Sequence, residues 1–72
     1  MVKPTRVTNI IGALRHAHEL TQGELAERVG VTRQTINAIE QGKYSPTLEL
    51  AFQISRVFSA PIEQVFFYPK EP

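Results

Sequence analysis

The chain has 72 residues, no cysteine, 8 Lys+Arg against 7 Asp+Glu, and a formal net charge of +1. That length fits one small domain, which buries only about 60% of its unfolded surface and has no core to spare for a deep cofactor cleft. Disulfides and thiolate metal sites are excluded. A charge of +1 is neither a basic tail nor a membrane-coating peptide, and taken alone it is weak support for nucleic-acid binding.

The N-terminal Met1-Val2-Lys3-Pro4-Thr5-Arg6-Val7-Thr8 is followed by Ile10-Ile11, which stops at Gly12. This is neither the apolar region nor the cleavage site of a secretory signal. The apolar run Val65-Phe66-Phe67-Tyr68 is far below the ~18 residues of a membrane span. A cytoplasmic chain with no membrane partner is the expectation.

Helical periodicity begins at about Asn9 and runs to Glu19, with Ile10, Leu14 and Ala17 at i, i+4, i+7, Ile11 beside them and Asn9 as cap. Gly12 inside it costs about 1 kcal/mol relative to Ala unless close packing requires it. Thr21-Gln22-Gly23-Glu24 is a capping box that opens a second helix, with Leu25, Ala26 and Val29 apolar and Gly30 as terminator. Thr32 caps a third helix carrying Ile36 and Ile39, which Gln41-Gly42-Lys43 closes. After Tyr44-Ser45-Pro46, Thr47 caps a fourth helix from about Leu48 to Phe58. It has Ala51, Ile54, Ser55 and Phe58 on one face and Leu50 and Val57 at its flanks. Pro61 stands at the first position of a short fifth helix through Ile62, Val65 and Phe66. The terminal pieces Arg6-Val7-Thr8 and Phe66-Phe67-Tyr68 hold residues favoured in strands, and composition leaves them open.

Gln22 to Gln41 form a unit of two short helices around the tight turn Gly30-Val31, with small Ala26 allowing close approach. This is the layout of a helix-turn-helix, whose second helix enters the DNA major groove. The outer face of the third helix carries Arg33, Gln34, Asn37 and Gln41, with no carboxylate. A solvated helix face ordinarily mixes Glu and Lys, whereas Arg bonds guanine in two places, Gln or Asn does the same for adenine, and Thr35 adds a methyl contact to thymine. Arg33, Gln34, Thr35 and Asn37 are therefore the candidate base readers. Candidate phosphate contacts are Gln22 in the first turn of the second helix, Thr32 and Gln41 at the ends of the third, and Arg28, Lys43 and Tyr44 around it, with Ser45 nearby. An amphipathic bundle with a polar outer face explains each feature singly, but not their joint occurrence.

Leu20 to Pro46, reading LTQGELAERVGVTRQTINAIEQGKYSP, resembles the core of the Cro/C1-type (Xre) helix-turn-helix regulators. The similarity covers about Ile10 to Tyr68 and points to the short stand-alone type. The resemblance implies an all-α, five-helix, lambda-repressor-like domain that binds a pseudo-palindromic operator as a homodimer. It also implies that Arg15 pairs with Glu40 as a structural ion pair, that Gln22 contacts phosphate, and that Arg33, Gln34 and Asn37 read bases. A small antiparallel sheet from Arg6–Thr8 and Phe66–Tyr68 is implied as well. The corresponding organisation is an N-terminal extension and strand over residues 1–8, the DNA-binding domain over 9–66 with its recognition helix at about 32–41, and a tail over 67–72. Met1 to Thr5, Gly23 and Ala60 depart from the usual pattern, and none touches the reading stripe.

Phe66, Phe67 and Tyr68 form an apolar cluster too large for the end of so small a domain. Together with Leu50 or Phe52, it is the candidate dimer interface. His16 and His18, two apart on a helix, point about 200° from each other and cannot chelate one ion. No nucleophile has a His partner, so neither catalysis, a cofactor nor a small-molecule ligand is indicated. Double-stranded DNA and a second copy are the expected partners. The alternatives are an antitoxin or other protein-interaction module of the same fold, and a coactivator-type module that docks on protein.

Overall fold

The computed structural model describes residues 5–70. Met1 to Pro4 of the expected extension, and Glu71 and Pro72 of the tail, lie outside the described residues. The order is β1 (Thr8–Asn9), α1 (Ile11–Ala17), α2 (Gln22–Val29), α3 (Arg33–Glu40), α4 (Leu48–Val57), a 3-10 turn (Ile62–Gln64) and β2 (Phe66–Phe67).

Three of the four α-helices start as local chemistry dictates. Thr21, Thr32 and Thr47 each sit in extended backbone and accept from the amide three residues on, and at Thr21 the Glu24 carboxylate completes the box. The first helix starts differently. Ile10 occupies its cap position without a side-chain bond, and Asn9, expected as the cap, belongs to β1. Its Oδ1 still accepts from the Ile11 N–H at 3.1 Å, so the carboxamide serves α1 from inside the strand.

The fold is mostly helical, but the expected count of five helices is corrected to four among the described residues. Ile62–Gln64 make a single 3-10 turn, because the chain must be extended again by Phe66 to pair with β1. The pairing is antiparallel, Thr8 with Phe67 and Asn9 with Phe66, shorter and shifted from the expected Arg6–Thr8 against Phe66–Tyr68. An Ile10 N–H to Val65 carbonyl bond at 3.1 Å extends the link between the two ends of the chain.

The core follows the apolar stripes. Ile11, Leu25, Ile36, Ile39, Ile54 and Val65 are fully buried, with Ala26, Val29, Leu50 and Phe58 around them. Ala17, expected on the inner stripe of α1, is exposed instead, because the helix ends there. Leu50, expected at a dimer interface, is also corrected. It is 8% exposed and belongs to the core, whereas Leu48 and Phe52 on the same helix are 69% and 50% exposed. Among the described residues Ser55 is the only buried polar side chain, and it donates its hydroxyl to the Ala51 carbonyl at 2.9 Å.

Candidate nucleic-acid interface

The turn between α2 and α3 depends on Gly30, at φ +75° and ψ +30°. This left-handed conformation costs an ordinary L-residue roughly 1–2 kcal/mol. The Val31 N–H reaches back to the Ala26 carbonyl at 3.0 Å, and Thr32 then caps α3. Ala26 is 2% exposed in the contact between the two helices, so a larger side chain there would force them apart. The buried face of α3 holds Ile36 and Ile39, and this anchoring turns the opposite stripe outward.

On that stripe Arg33 and Gln34 are exposed, and Thr35 and Asn37 are half-buried. The expectation that Gly23 stays clear of the stripe is corrected: the stem of Arg33 crosses Gly23 of α2, its Cδ lying 3.9 Å from where a Cβ on Gly23 would stand. Thr32 and Thr35 share a hydroxyl–hydroxyl bond at 3.0 Å, and the Thr32 hydroxyl also accepts from the Thr35 amide. The Thr32 side chain is thus committed first to starting the helix.

Glu40 is the one acid in α3, and it is turned away from the stripe. Its Oε2 accepts from Arg15 Nε at 2.6 Å and its Oε1 from Arg15 Nη2 at 3.2 Å, with the side chains 12% and 14% exposed. Arg15 Nη1 donates further to the Leu20 carbonyl at 3.0 Å, so the guanidinium also holds the connection after α1. The planar fork meets the carboxylate edge-on, a geometry that Lys cannot reproduce.

The network continues from Glu40. Gln22 Nε2 donates to Glu40 Oε1 and to Asn37 Oδ1, each at 3.2 Å, and Gln41 Nε2 donates to the same Asn37 oxygen at 3.2 Å. Gln22, Asn37 and Gln41 are therefore brought together as one amide cluster. Both hydrogens of the Gln22 amide point inward in this arrangement. Its side chain offers a phosphate only an oxygen, while its main-chain N–H lies in the first turn of α2.

The remaining predicted contacts are spread out. Lys43 is exposed just beyond α3, and Tyr44 packs its ring against the core while staying half-buried. Arg28 is exposed in the last turn of α2, at the opposite end from Gln22. Phe66 packs on the core, whereas Phe67 and Tyr68 are exposed, with Tyr68 under the Arg6 guanidinium at 5.8 Å from the ring centre. Among the described residues no group of three or more His, Cys, Asp or Glu could hold a metal ion, and no helix is long and apolar enough to cross a membrane. His18 stacks at a tilt on Phe58, with ring centres 5.2 Å apart.

Asn9 escaped the sequence reading as a residue of this region. Its Nδ2 donates to the Ile39 carbonyl at 2.9 Å, joining β1 to the last turn of α3. A partner 30 positions away leaves no local signal.

The Helix-turn-helix family model matches residues 11–65, which span all four helices and the 3-10 turn. The chain belongs to the Cro/C1-type (Xre) helix-turn-helix family. An uncharacterized HTH-type transcriptional regulator of Methanocaldococcus jannaschii is 56% identical over 54 residues, covering 75% of this chain and 82% of that protein. One from Archaeoglobus fulgidus is 51% identical over 61 residues, covering 85% and 86%. The HTH-type regulator YgzD of Bacillus subtilis is 46% identical over 63 residues, covering 88% and 96%. A crystal structure from Bacteroides fragilis superposes with a TM-score of 0.76 over 85% of this chain and 98% of the other, at 21% identity, a likeness of fold alone. The match thus covers most of each of these three relatives' length, and the family match includes every residue of the Arg15–Glu40–Gln22–Asn37 network of this helix-turn-helix chain.

Proposed function

We propose that this helix-turn-helix protein is a sequence-specific DNA-binding transcriptional regulator of the cytoplasm, acting as a homodimeric repressor on a pseudo-palindromic operator. One observation carries the reading. The outward stripe of α3 and its cap holds exposed Arg33, Gln34 and Gln41 and half-buried Asn37, while the single acid of the helix is drawn inward by Arg15. That arrangement pairs off the one negative charge of α3 itself and leaves side chains matched to base edges. Relatives of similar length named as HTH-type transcriptional regulators support the same reading.

In this reading Arg33, Gln34, Thr35 and Asn37 read bases. Lys43, Arg28, Tyr44, Thr32 and Gln41 border the groove and hold phosphates, as does the main-chain N–H of Gln22. Repression follows from occlusion of a promoter by two copies whose α3 helices sit about 34 Å apart, one turn of B-DNA. The exposed apolar residues Leu48, Phe52, Phe67 and Tyr68, beside Phe66, supply candidates for the surface between copies. A net charge of +1 keeps non-specific attraction to phosphate small, so discrimination falls to the base contacts.

Selection of bound duplexes from a random pool tests this. A two-fold symmetric motif with half-sites about one helical turn apart is expected. Absence of any enriched motif, with a tight complex to a protein partner instead, would favour the interaction-module alternative.

A further inference from the structure

Glu40 determines which atoms of Asn37 remain for DNA, through a chain of hydrogen-bond donors that has one self-consistent assignment. The Glu40 carboxylate, held by two Arg15 N–H groups, only accepts. The Gln22 atom 3.2 Å from Glu40 Oε1 must therefore be the amide nitrogen, Nε2. The same nitrogen lies 3.2 Å from Asn37, so the Asn37 atom facing it must be the oxygen. Gln41 approaches that oxygen at 3.2 Å and must also present its nitrogen. An amide oxygen has two lone pairs, and both are now occupied.

We infer that Asn37 is held as a donor-only reader, with Gln22 as the positioning residue that relays the orientation from Glu40. This rests on the proposed contact of the α3 stripe with bases. The sequence alone suggests that Asn37 pairs with adenine in two places, but that pairing needs a free amide oxygen to accept from N6 as well as a nitrogen to donate to N7. The oxygen is saturated here. What remains is the NH2 group, which suits two adjacent acceptors, the O6 and N7 of guanine, and next the single O4 of thymine. Adenine would leave its N6 donors facing a donor, and cytosine presents only a donor. Gln34 is exposed and lies outside this network, so it keeps both functions of its amide and is the adenine reader of the stripe.

The test begins from a duplex that the full chain enriches from random DNA. Asn37→Ala identifies, by the base pair at which discrimination disappears, the position that Asn37 reads. Affinities are then measured for the four duplexes differing only at that base. The wild-type chain should prefer guanine, with adenine weaker by about tenfold or more, the scale of one good base contact. Gln22→Met keeps the length and packing of the side chain but cannot donate. It should bring the guanine-to-adenine ratio close to unity while leaving the positions governed by Arg33 and Gln34 unchanged. A wild-type preference for adenine or cytosine at that position would overturn the inference, and this arm needs no altered chain. So would a ratio unmoved in folded Gln22→Met, or an Asn37→Ala chain with unchanged discrimination everywhere. Failure to enrich any duplex would instead remove the DNA-reading proposal, and the inference with it.

Discussion

Asn9 fastens the first strand to the end of α3, its Nδ2 donating to the Ile39 carbonyl at 2.9 Å while its Oδ1 accepts from the Ile11 N–H at 3.1 Å. One side chain therefore joins the terminal sheet, the start of α1 and the end of the helix that carries the polar stripe. The Ile39 carbonyl also accepts from the Gly42 N–H at 3.0 Å, so it is not orphaned when Asn9 is removed. The Ile11 N–H, on a fully buried residue, does lose its acceptor, so the cost of Asn9→Ala is one net hydrogen bond plus a stranded buried donor, about 2 kcal/mol. A thermal melt should fall by roughly 5–15 °C, the change expected for a domain of this size.

Truncating either member of the Arg15–Glu40 pair should cost more. Both side chains are nearly buried, at 12% and 14% exposed, and removing one strands the other charge. Loss of a partner in a buried pair costs 3–5 kcal/mol, and the residual exposure here places the cost at about 3 kcal/mol. Chemical denaturation of Glu40→Ala and Arg15→Ala should show losses of that size. A midpoint unchanged in both would show that the pair contributes nothing to stability.

Two helix ends turn through residues that are poorly suited to the conformation. Glu19 has φ +57° and Ser59 has φ +53°, and in both places the next amide closes onto a carbonyl of the preceding helix, Leu20 onto Arg15 and Ala60 onto Ser55. A helix end of this kind ordinarily uses Gly at that point. Glu19→Gly should relieve the left-handed strain by more than the added flexibility of the unfolded chain costs, for a net gain of about 0.5 kcal/mol. A rise in melting temperature of a few degrees is the expected readout.

Much of the helix-turn-helix was legible because its signals are local. Thr21 and Glu24, Thr32, Gly30 and Thr47 each act within four residues, and all perform in the structure as their chemistry suggests. The misread features depend on distant partners. The fifth helix shrank to one 3-10 turn because Phe66 had to become strand opposite Asn9, and Leu50 went to the core because α4 rotates Leu48 and Phe52 outward. The ends of α1 and α4, at Ala17 and Val57, have no glycine signature in the sequence, because Glu19 and Ser59 take the left-handed positions. At the candidate site, the composition of the stripe could be read from sequence, but not which amide atoms were already occupied. That depends on Gln22 meeting Asn37 and Glu40 across 15 and 18 positions.

Lys43 differs from the stripe in what its removal should do. It stands exposed beyond the end of α3, and in the proposed reading it meets phosphate and carries no base information. Lys43→Ala should weaken binding to all duplexes alike and reduce the slope of log affinity against log salt by about 1. Titrations at several salt concentrations check both effects.

The central claim is that the α3 stripe reads sequence. It is tested most directly by titrating the wild-type chain and Arg33→Ala against an enriched duplex and a scrambled duplex of the same composition, at one salt concentration. The wild-type chain should favour the enriched duplex by about a thousandfold or more, and Arg33→Ala should lose about 1–3 kcal/mol of that preference at one base pair while its weak binding to scrambled DNA changes little. Equal affinity of the wild-type chain for the two duplexes, or an equal loss on both in Arg33→Ala, would contradict it.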